Sequence, residues 1–380
     1  MSHLLNTYNR YNVEFIKGEG AYLYDRNGKE YLDFLCGIAV TGFGHNHPEI
    51  KSAALKQLND YWHVSNLFQS SGQNELADKL SERSGLDFVF FCNSGTEANE
   101  AAIKLARKWG KERRDIISTY NSFHGRSLGS LSATGQYKLW AGFEPLVPGF
   151  YHAEFGNIEA IRKSITAETA AVIIETIQGE GGINEAPINY LKELRHLCTE
   201  KNILLIIDEI QTGIGRTGKF FSYQYAEILP DIVTCAKGIA NGIPLGAAIC
   251  SGKVAEVIQP GNHGSTFGGN PVAVAAANKV VDLIDEKLLK KIQTLGEKLK
   301  EEITKLGLPH IKEVRGKGFM IGVELTSGFS AKKLAGKLLE EGLLVGTSGE
   351  NVFRILPQFI IGDSEIEKFL KIFGTVIGSA

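Results

Sequence analysis

Two residues stand where chemistry could use them. Asp208 ends the apolar run Leu204-Leu205-Ile206-Ile207, and Lys237 lies between the stretch "DIVTCA" and the glycine-containing turn "KGIANGIPLGA". A carboxylate at the carboxyl end of a buried parallel strand sits where open α/β sheets bind ligands, and it can pair with a cationic group there. An amine flanked by Ile232, Val233 and Gly238 loses hydration, which lowers its pKa and makes it nucleophilic. A third feature is "FFCNSGTEANEAAIKLA", read as strand, glycine turn and helix. Ser94, Gly95 and Thr96 open that helix, so its free N–H groups and positive dipole end suit a phosphate. An acid for a pyridinium nitrogen, an amine for an aldehyde and a helix N-terminus for a phosphate together describe pyridoxal phosphate. Each has a plainer reading alone. Lysines are usually solvated, a terminal Asp often caps a turn, and Ser94 or Thr96 can serve only as a helix cap.

The same acid strand has a rival reading as the magnesium-binding strand of a phosphate-loop ATPase, because "GIGRTGKF" nearly completes a phosphate loop. Phe220 stands where the metal-binding hydroxyl is needed, and the loop follows the acid strand instead of opening an early strand–helix unit. His45 and His47 in "GHNHP" lack a third ligand at metal spacing and read as a turn before a helix starting at Pro48. His124 adjoins Phe123 and receives no catalytic role. The charged stretch 286–305 reads as a solvated helix face.

These residues need a scaffold. The runs 88–92, 115–119, 170–176, 203–209, 231–236 and 246–250 read as buried strands, and amphipathic segments separate several of them. That is the pattern of an α/β fold with a mostly parallel sheet wrapped by helices. The clearest helix carries Ala98, Ala101, Ala102, Leu105, Ala106 and Trp109 on one face and stops near Gly110. From Pro271 to about Leu306 the texture is helical. Beyond it, "HIKEVRG" and "FMIGVEL" read as strands around a Gly-Lys-Gly turn, followed by helix, two strands and a last helix from about Ser364. The segment "GAYLYDRNGKEYLDF" reads as a hairpin through Asn27-Gly28 and could join either unit. The expected division is a large cofactor-holding domain, 45–270, and a smaller α/β domain made of 1–44 and 271–380.

The 380 residues favour more than one domain, and their 43 % hydrophobic and 22 % charged composition is that of a soluble globular protein. A net charge of −2 with interspersed signs argues against nucleic-acid or membrane partners. Five scattered cysteines without CxxC spacing suit a reducing compartment. The N-terminus lacks the features of a signal or transit peptide, so a cytoplasmic location is expected.

Six ordered segments, "NSGTEANEAAIKLAR", "FHGRSLGSLSATG", "IQGEGGI", "LLIIDEIQTGIGRTG", "AKGIANGIPLGA" and "HGSTFGGNP", resemble the signatures of class III pyridoxal-phosphate aminotransferases. The resemblance runs from "YLDFLCGIAVTGFGHNHP" to "FRILPQF" and is closest to the acetylornithine branch, including "HVSNLF". It implies the fold-type I architecture, a seven-stranded type of central sheet, pyridoxal 5'-phosphate as cofactor, and a homodimer with sites between subunits. It implies Gly95 and Thr96 at the phosphate, Phe123 on the ring, Asp208 at the ring nitrogen, Gln211 at the phenolic oxygen and Lys237 at the aldehyde. Thr266 would reach the phosphate of the neighbouring subunit, with Ser265 nearby. Arg126 would bind a substrate carboxylate, and Glu180 with Arg354 would form a pair that opens and closes. Thr176 and Gln358 stand where relatives commonly have proline, and Ile239-Ala240-Asn241 replaces a more glycine-rich run.

The resemblance further implies transfer of the terminal amine of N2-acetylornithine to 2-oxoglutarate, an arginine-biosynthetic step. The alternatives are an ω-aminotransferase for ornithine, succinyl-diaminopimelate, acetyl-lysine or 4-aminobutyrate, another reaction on the scaffold, or a binder that keeps the fold without catalysis. The intact Asp208 and Lys237 argue against the last of these. Where ornithine aminotransferases carry a tyrosine for an α-ammonium, this chain has Ile38.

Overall fold

The computed structural model describes residues 3–380. Its centre is a seven-stranded sheet. In sheet order the strands are Phe88–Cys92, Gly246–Cys250, Ile232–Cys235, Leu204–Asp208, Thr169–Glu175, Asp115–Thr119 and Phe150–Ala153. Gly246–Cys250 runs antiparallel to both neighbours, and the other adjacent pairs are parallel. Leu204–Asp208 and Thr169–Glu175 are buried along their whole length. Such continuous apolar runs belong to strands covered on both faces.

Strand alternation divides the core between those two faces. Leu204, Ile206, Ala171, Ile173 and Ile232 pack with Ala102, Ile103 and Ala106 of helix Gly95–Gly110. Leu205, Ile207, Val172, Ile174 and Val233 join the larger core on the other side. Burying one such Leu or Ile side chain contributes roughly 1.5–3 kcal/mol, so the sheet centre is rigidly held. Asp208 and Glu175 continue the alternation onto the face of helix Gly95–Gly110, and they are register partners at the strand ends. The period of two therefore aims both carboxylates to one side.

Three smaller sheets lie outside this centre, the least of them the pairing of Ile177–Gln178 with Asn184–Glu185. Phe15–Glu19, Tyr22–Asp25 and Glu30–Asp33 form one antiparallel run, and Glu30–Asp33 pairs in parallel with Leu343–Leu344 of the C-terminal part of the chain. The strands Ile311–Lys317, Met320–Leu325, Val352–Ile355 and Gly346–Ser348 form an antiparallel sheet. The helical stretch after Pro271 is two helices, Pro271–Leu283 and Glu286–Lys305, because Asp285 accepts the Leu288 N–H at 2.7 Å and starts a new cap. Helix Pro271–Leu283 packs on helices Pro48–Asp60 and Ser71–Ser84. The strand Phe150–Ala153 is absent from the sequence reading. It is a half-exposed edge strand without a marked apolar pattern.

Candidate active site

At the carboxyl ends of the parallel strands lies a cavity of about 410 Å³ lined by Gly95, Thr96, Phe123, Arg126, Asp208, Gln211 and Lys237, among others. Each element supplies its residue for a local reason. Helix Gly95–Gly110 starts at the cavity wall, and its cap Ser94 accepts the Glu97 N–H at 3.3 Å. The first turn of a helix leaves N–H groups without intrahelical partners, so this wall is an anion-binding surface. A Cβ on Gly95 would lie 2.8 Å from Ile210, so the close approach there requires glycine. The Thr96 hydroxyl is 2.6 Å from that of Ser130 and accepts the Ser127 N–H at 3.2 Å.

Asp208 is 3 % exposed and is held from three sides. Its Oδ1 accepts the Ile210 N–H at 3.0 Å. Its Oδ2 accepts from Asn99 Nδ2 and from His124 Nδ1, both at 2.8 Å. An ionised carboxylate only accepts, so the His124 proton belongs on Nδ1. His124 Nε2 is buried without a partner among the described residues. Asn99 is fully used: Nδ2 also donates to the His124 carbonyl at 2.7 Å, and Oδ1 accepts from Thr234 at 2.8 Å.

Lys237 begins a short 3-10 turn and has φ of +47°. Its Nζ has neither a hydrogen bond nor an ion pair with any described residue. Burial holds its pKa below the ordinary lysine value and Arg354 acts in the same direction, while Glu180, Asp208 and Glu175 oppose the shift. Glu175, 5 % exposed, also lines the cavity. Burial pushes its carboxyl up to about 7, with the Asp208 charge adding to the shift and His124 opposing it.

Phe123 is half-buried on the cavity wall, and the exposed Arg126 has its guanidinium 5.7 Å from that ring. Arg354, 3 % exposed, pairs with Glu180 and donates to the Gly179 carbonyl at 3.1 Å and to Gln211 Oε1 at 3.2 Å. Ser265 lies one step back, accepting from Asn93 at 3.1 Å. Thr266 is exposed and does not line this cavity. It adjoins a surface carrying Trp62, Leu67, Phe68 and Phe267, all exposed, and Asn66 ties the two segments through the Ser265 and Gly268 carbonyls.

One wall is built differently. Cys36, Gly37, Ile38 and Ala39 have φ of 53°, 59°, 66° and 63°, a left-handed turn that leads to the cavity residue Val40. Asp33 Oδ1 accepts the Leu35 and Cys36 N–H groups at 2.9 Å, and the Cys36 carbonyl takes those of Val40 and Thr41. Asp33 Oδ2 contacts His45 at 2.9 Å, and His47 precedes the helix that starts at Pro48.

The loop "GIGRTGKF" does a packing job. Arg216 is fully buried, its Nη1 donates to the Pro357 and Phe319 carbonyls, and its own carbonyl accepts the Phe319 N–H. Gly318 docks so closely that a Cβ there would lie 2.5 Å from the Thr217 backbone. Gly318 thus lets the 317–319 turn seat on Arg216 and Thr217 of the loop.

The sequence leaves Asn99 and Glu175 unmarked and places His124 beside Phe123 without a role, whereas the structure sets its Nδ1 on Asp208. Asn99 and Glu175 had only their positions on the expected helix and strand to mark them, and the His124–Asp208 contact follows from the tertiary fold.

A sheet-end cavity with a half-buried, unpaired amine, a braced carboxylate and a helix N-terminus defines a pyridoxal-phosphate enzyme of the fold-type I class. The aminotransferase class-III family matches residues 6–377, and the chain belongs to it. An acetylornithine aminotransferase of Aquifex aeolicus is 47 % identical over 99 % of this chain and 100 % of its own length. The ornithine aminotransferase of Toxoplasma gondii ME49 superposes with a TM-score of 0.94 at 33 % identity, covering 99 % of this chain and 93 % of that one. The N-acetylornithine aminotransferase of Stenotrophomonas maltophilia K279a gives 0.86 at 34 %, covering 98 % and 97 %. The family is pyridoxal-phosphate-dependent, and the cavity fits that group: it holds a helix N-terminus that would take the phosphate, the Asp208 carboxylate that would meet the ring nitrogen, and the unpaired Lys237 amine.

Proposed function

We propose that the chain transfers the terminal amine of N2-acetylornithine to 2-oxoglutarate, giving N-acetylglutamate 5-semialdehyde and glutamate. The observation that carries the chemistry is the unpaired, desolvated Lys237 amine in one cavity with Asp208. The acyl-diamine substrate rests on full-length identity to acetylornithine aminotransferases and on Ile38, which offers no polar group to an α-ammonium.

When bound, pyridoxal phosphate supplies an electron sink for the carbon that loses its proton. Lys237 would hold the cofactor through its amine, and the same amine is the group placed to act as the proton-transferring base. Asp208, oriented by Asn99 and His124, would meet the ring nitrogen and favour its protonated form. Gly95 and Thr96 would receive the phosphate, Phe123 would meet the ring, and Gln211 would meet the phenolic oxygen. Arg126 binds the distal carboxylate of either substrate as a bidentate pair. Glu180 neutralises Arg354 for the acylated diamine and releases it to the α-carboxylate of glutamate, consistent with their ion pair.

The same reading makes the molecule a cytoplasmic homodimer. The exposed apolar surface beside Thr266 is the kind that a second subunit covers, and it would carry Thr266 and Ser265 to the partner's phosphate. We also place the unit boundaries near 45 and 270, with helix Pro271–Leu283 packed against the larger unit.

The test is kinetic. N-acetylornithine should exceed ornithine by roughly a hundredfold or more in kcat/KM, because burying an unpaired ammonium costs several kcal/mol. Equal efficiency with the two donors refutes the substrate assignment. Borohydride should fix the cofactor to the wild-type chain and leave Lys237→Ala unlabelled; labelling of that variant refutes the role of Lys237.

A further inference from the structure

Glu175 ends its strand beside Asp208 and has no assigned part in the reaction. Its two carboxylate oxygens go to different segments. Oε2 accepts the Phe123 N–H at 3.0 Å, and Oε1 accepts the Gly179 N–H at 3.1 Å. Gly179 in turn offers its carbonyl to Arg354 and precedes Glu180, the partner of that arginine. There is little slack at this point. A Cβ on Gly179 would lie 2.3 Å from Gln211, and Gln211 itself accepts from Arg354. A second strap, Gln178 to the Tyr120 carbonyl at 2.8 Å, joins the same two segments but stops short of Phe123.

We propose that Glu175 is a positioning residue that couples the Glu180–Arg354 pair to Phe123, so that opening the pair moves the cavity wall on which the ring lies. The coupling rests on the functional reading above for its consequence, though not for its geometry. A carboxylate suits the task because both oxygens accept. Glutamine keeps one acceptor and sets an NH₂ group against the other backbone donor, leaving that N–H unpaired. The charged and titratable groups facing Glu175 are Asp208 from the adjacent strand, His124 beside Phe123, Lys237 across the cavity, and the Glu180–Arg354 pair beyond Gly179.

The test is a double-substitution cycle on the full chain, read first by the backbone amide signals of ¹⁵N-labelled Phe123 and Gly179. Glu180→Gln should shift the Phe123 signal when Glu175 is present and leave it in place in a Glu175→Gln background. In pH titration the Phe123 and Gly179 signals should share one midpoint, which disappears in Glu175→Gln. Kinetically, the change that Glu180→Gln makes in the acylornithine-to-glutamate preference should shrink at least severalfold in the same background. An equal Phe123 shift in both backgrounds, or separate midpoints for the two amides, overturns the coupling. If Glu175→Gln does not fold, Glu175→Asp, which keeps the charge but loses a methylene of reach, should give a partial loss of the Phe123 response. An undiminished response in that variant also overturns it. The amide signals need no substrate, so the coupling can fail while the aminotransferase reading stands; a chain that transfers no amine from any diamine fails the reading alone.

Discussion

Asp208 lines the cavity and the Cys36–Ala39 turn delivers Val40 to it, yet the fold holds them by opposite means. Asp208 ends a strand in ordinary geometry, and its carboxylate meets three donors on a rigid layer. The turn puts three non-glycine residues at positive φ, one of them the β-branched Ile38. Each left-handed non-glycine residue costs roughly 1–2 kcal/mol, and Asp33 with the Cys36 carbonyl offsets it. The first region is rigid because its bonds are satisfied. The second is shaped because its neighbours over-determine it. Lys237 belongs to both, following a buried strand at φ of +47°.

Removing the amine should separate these contributions most sharply. Lys237→Met should abolish amino transfer while making the cofactor-free fold more stable at neutral pH. Burial depresses the folded-state pKa, so below it the fold carries the full cost of a desolvated ammonium. That cost fades as pH rises from the folded value to the ordinary 10.5, so the advantage of Lys237→Met should fade with it. Thermal or urea melts across alkaline pH check the sign, and a gain growing with pH would contradict it.

Next in size is Asp208→Asn, which keeps the shape and loses the charge. We expect kcat/KM to fall on the order of a thousandfold, comparable to loss of a key electrostatic contact. Retained affinity for inorganic phosphate would show the helix N-terminus intact, and near-normal turnover would remove Asp208 from its role.

Asn99→Ala tests the bracing. It leaves the Thr234 hydroxyl and one Asp208 site unpaired, which should cost about 1–3 kcal/mol in urea denaturation. An unchanged midpoint and slope would mean that Asn99 holds nothing.

The smallest effect is the strained counterpart, Ile38→Gly. Glycine accepts the left-handed conformation but adds freedom to the unfolded chain, so a net gain of up to about 1 kcal/mol is expected. Acylornithine kcat/KM should fall as the wall loosens. A variant less stable than the wild type would show that packing of Ile38 outweighs its backbone cost.

The two regions also differ in how far their residues announced them. The apolar run ending in Asp208 and the alanine-rich helix followed from periodicity, because local pattern and global fold agree there. His124 could not be tied to Asp208 because the contact joins distant parts of the chain. Glu175 read as one more strand residue, since nothing local says that its oxygens reach two loops. The left-handed turn was invisible for a sharper reason. Only Gly37 among its four residues favours that conformation, and the rest are held there by tertiary bonds.

Strand-end placement has a consequence for insertions and deletions. Asp208, Glu175 and Thr234 share the face of helix Gly95–Gly110 because each lies an even number of residues beyond an inward-facing hydrophobe of its own strand. Adding or removing one residue within such a strand turns every later side chain to the opposite face. A single-codon deletion in the Leu204–Ile207 run would thus aim the acid into the other core, where it has no Asn99 or His124. Length changes in these strands should be tolerated only in steps of two, whereas exposed loops between them have no such rule.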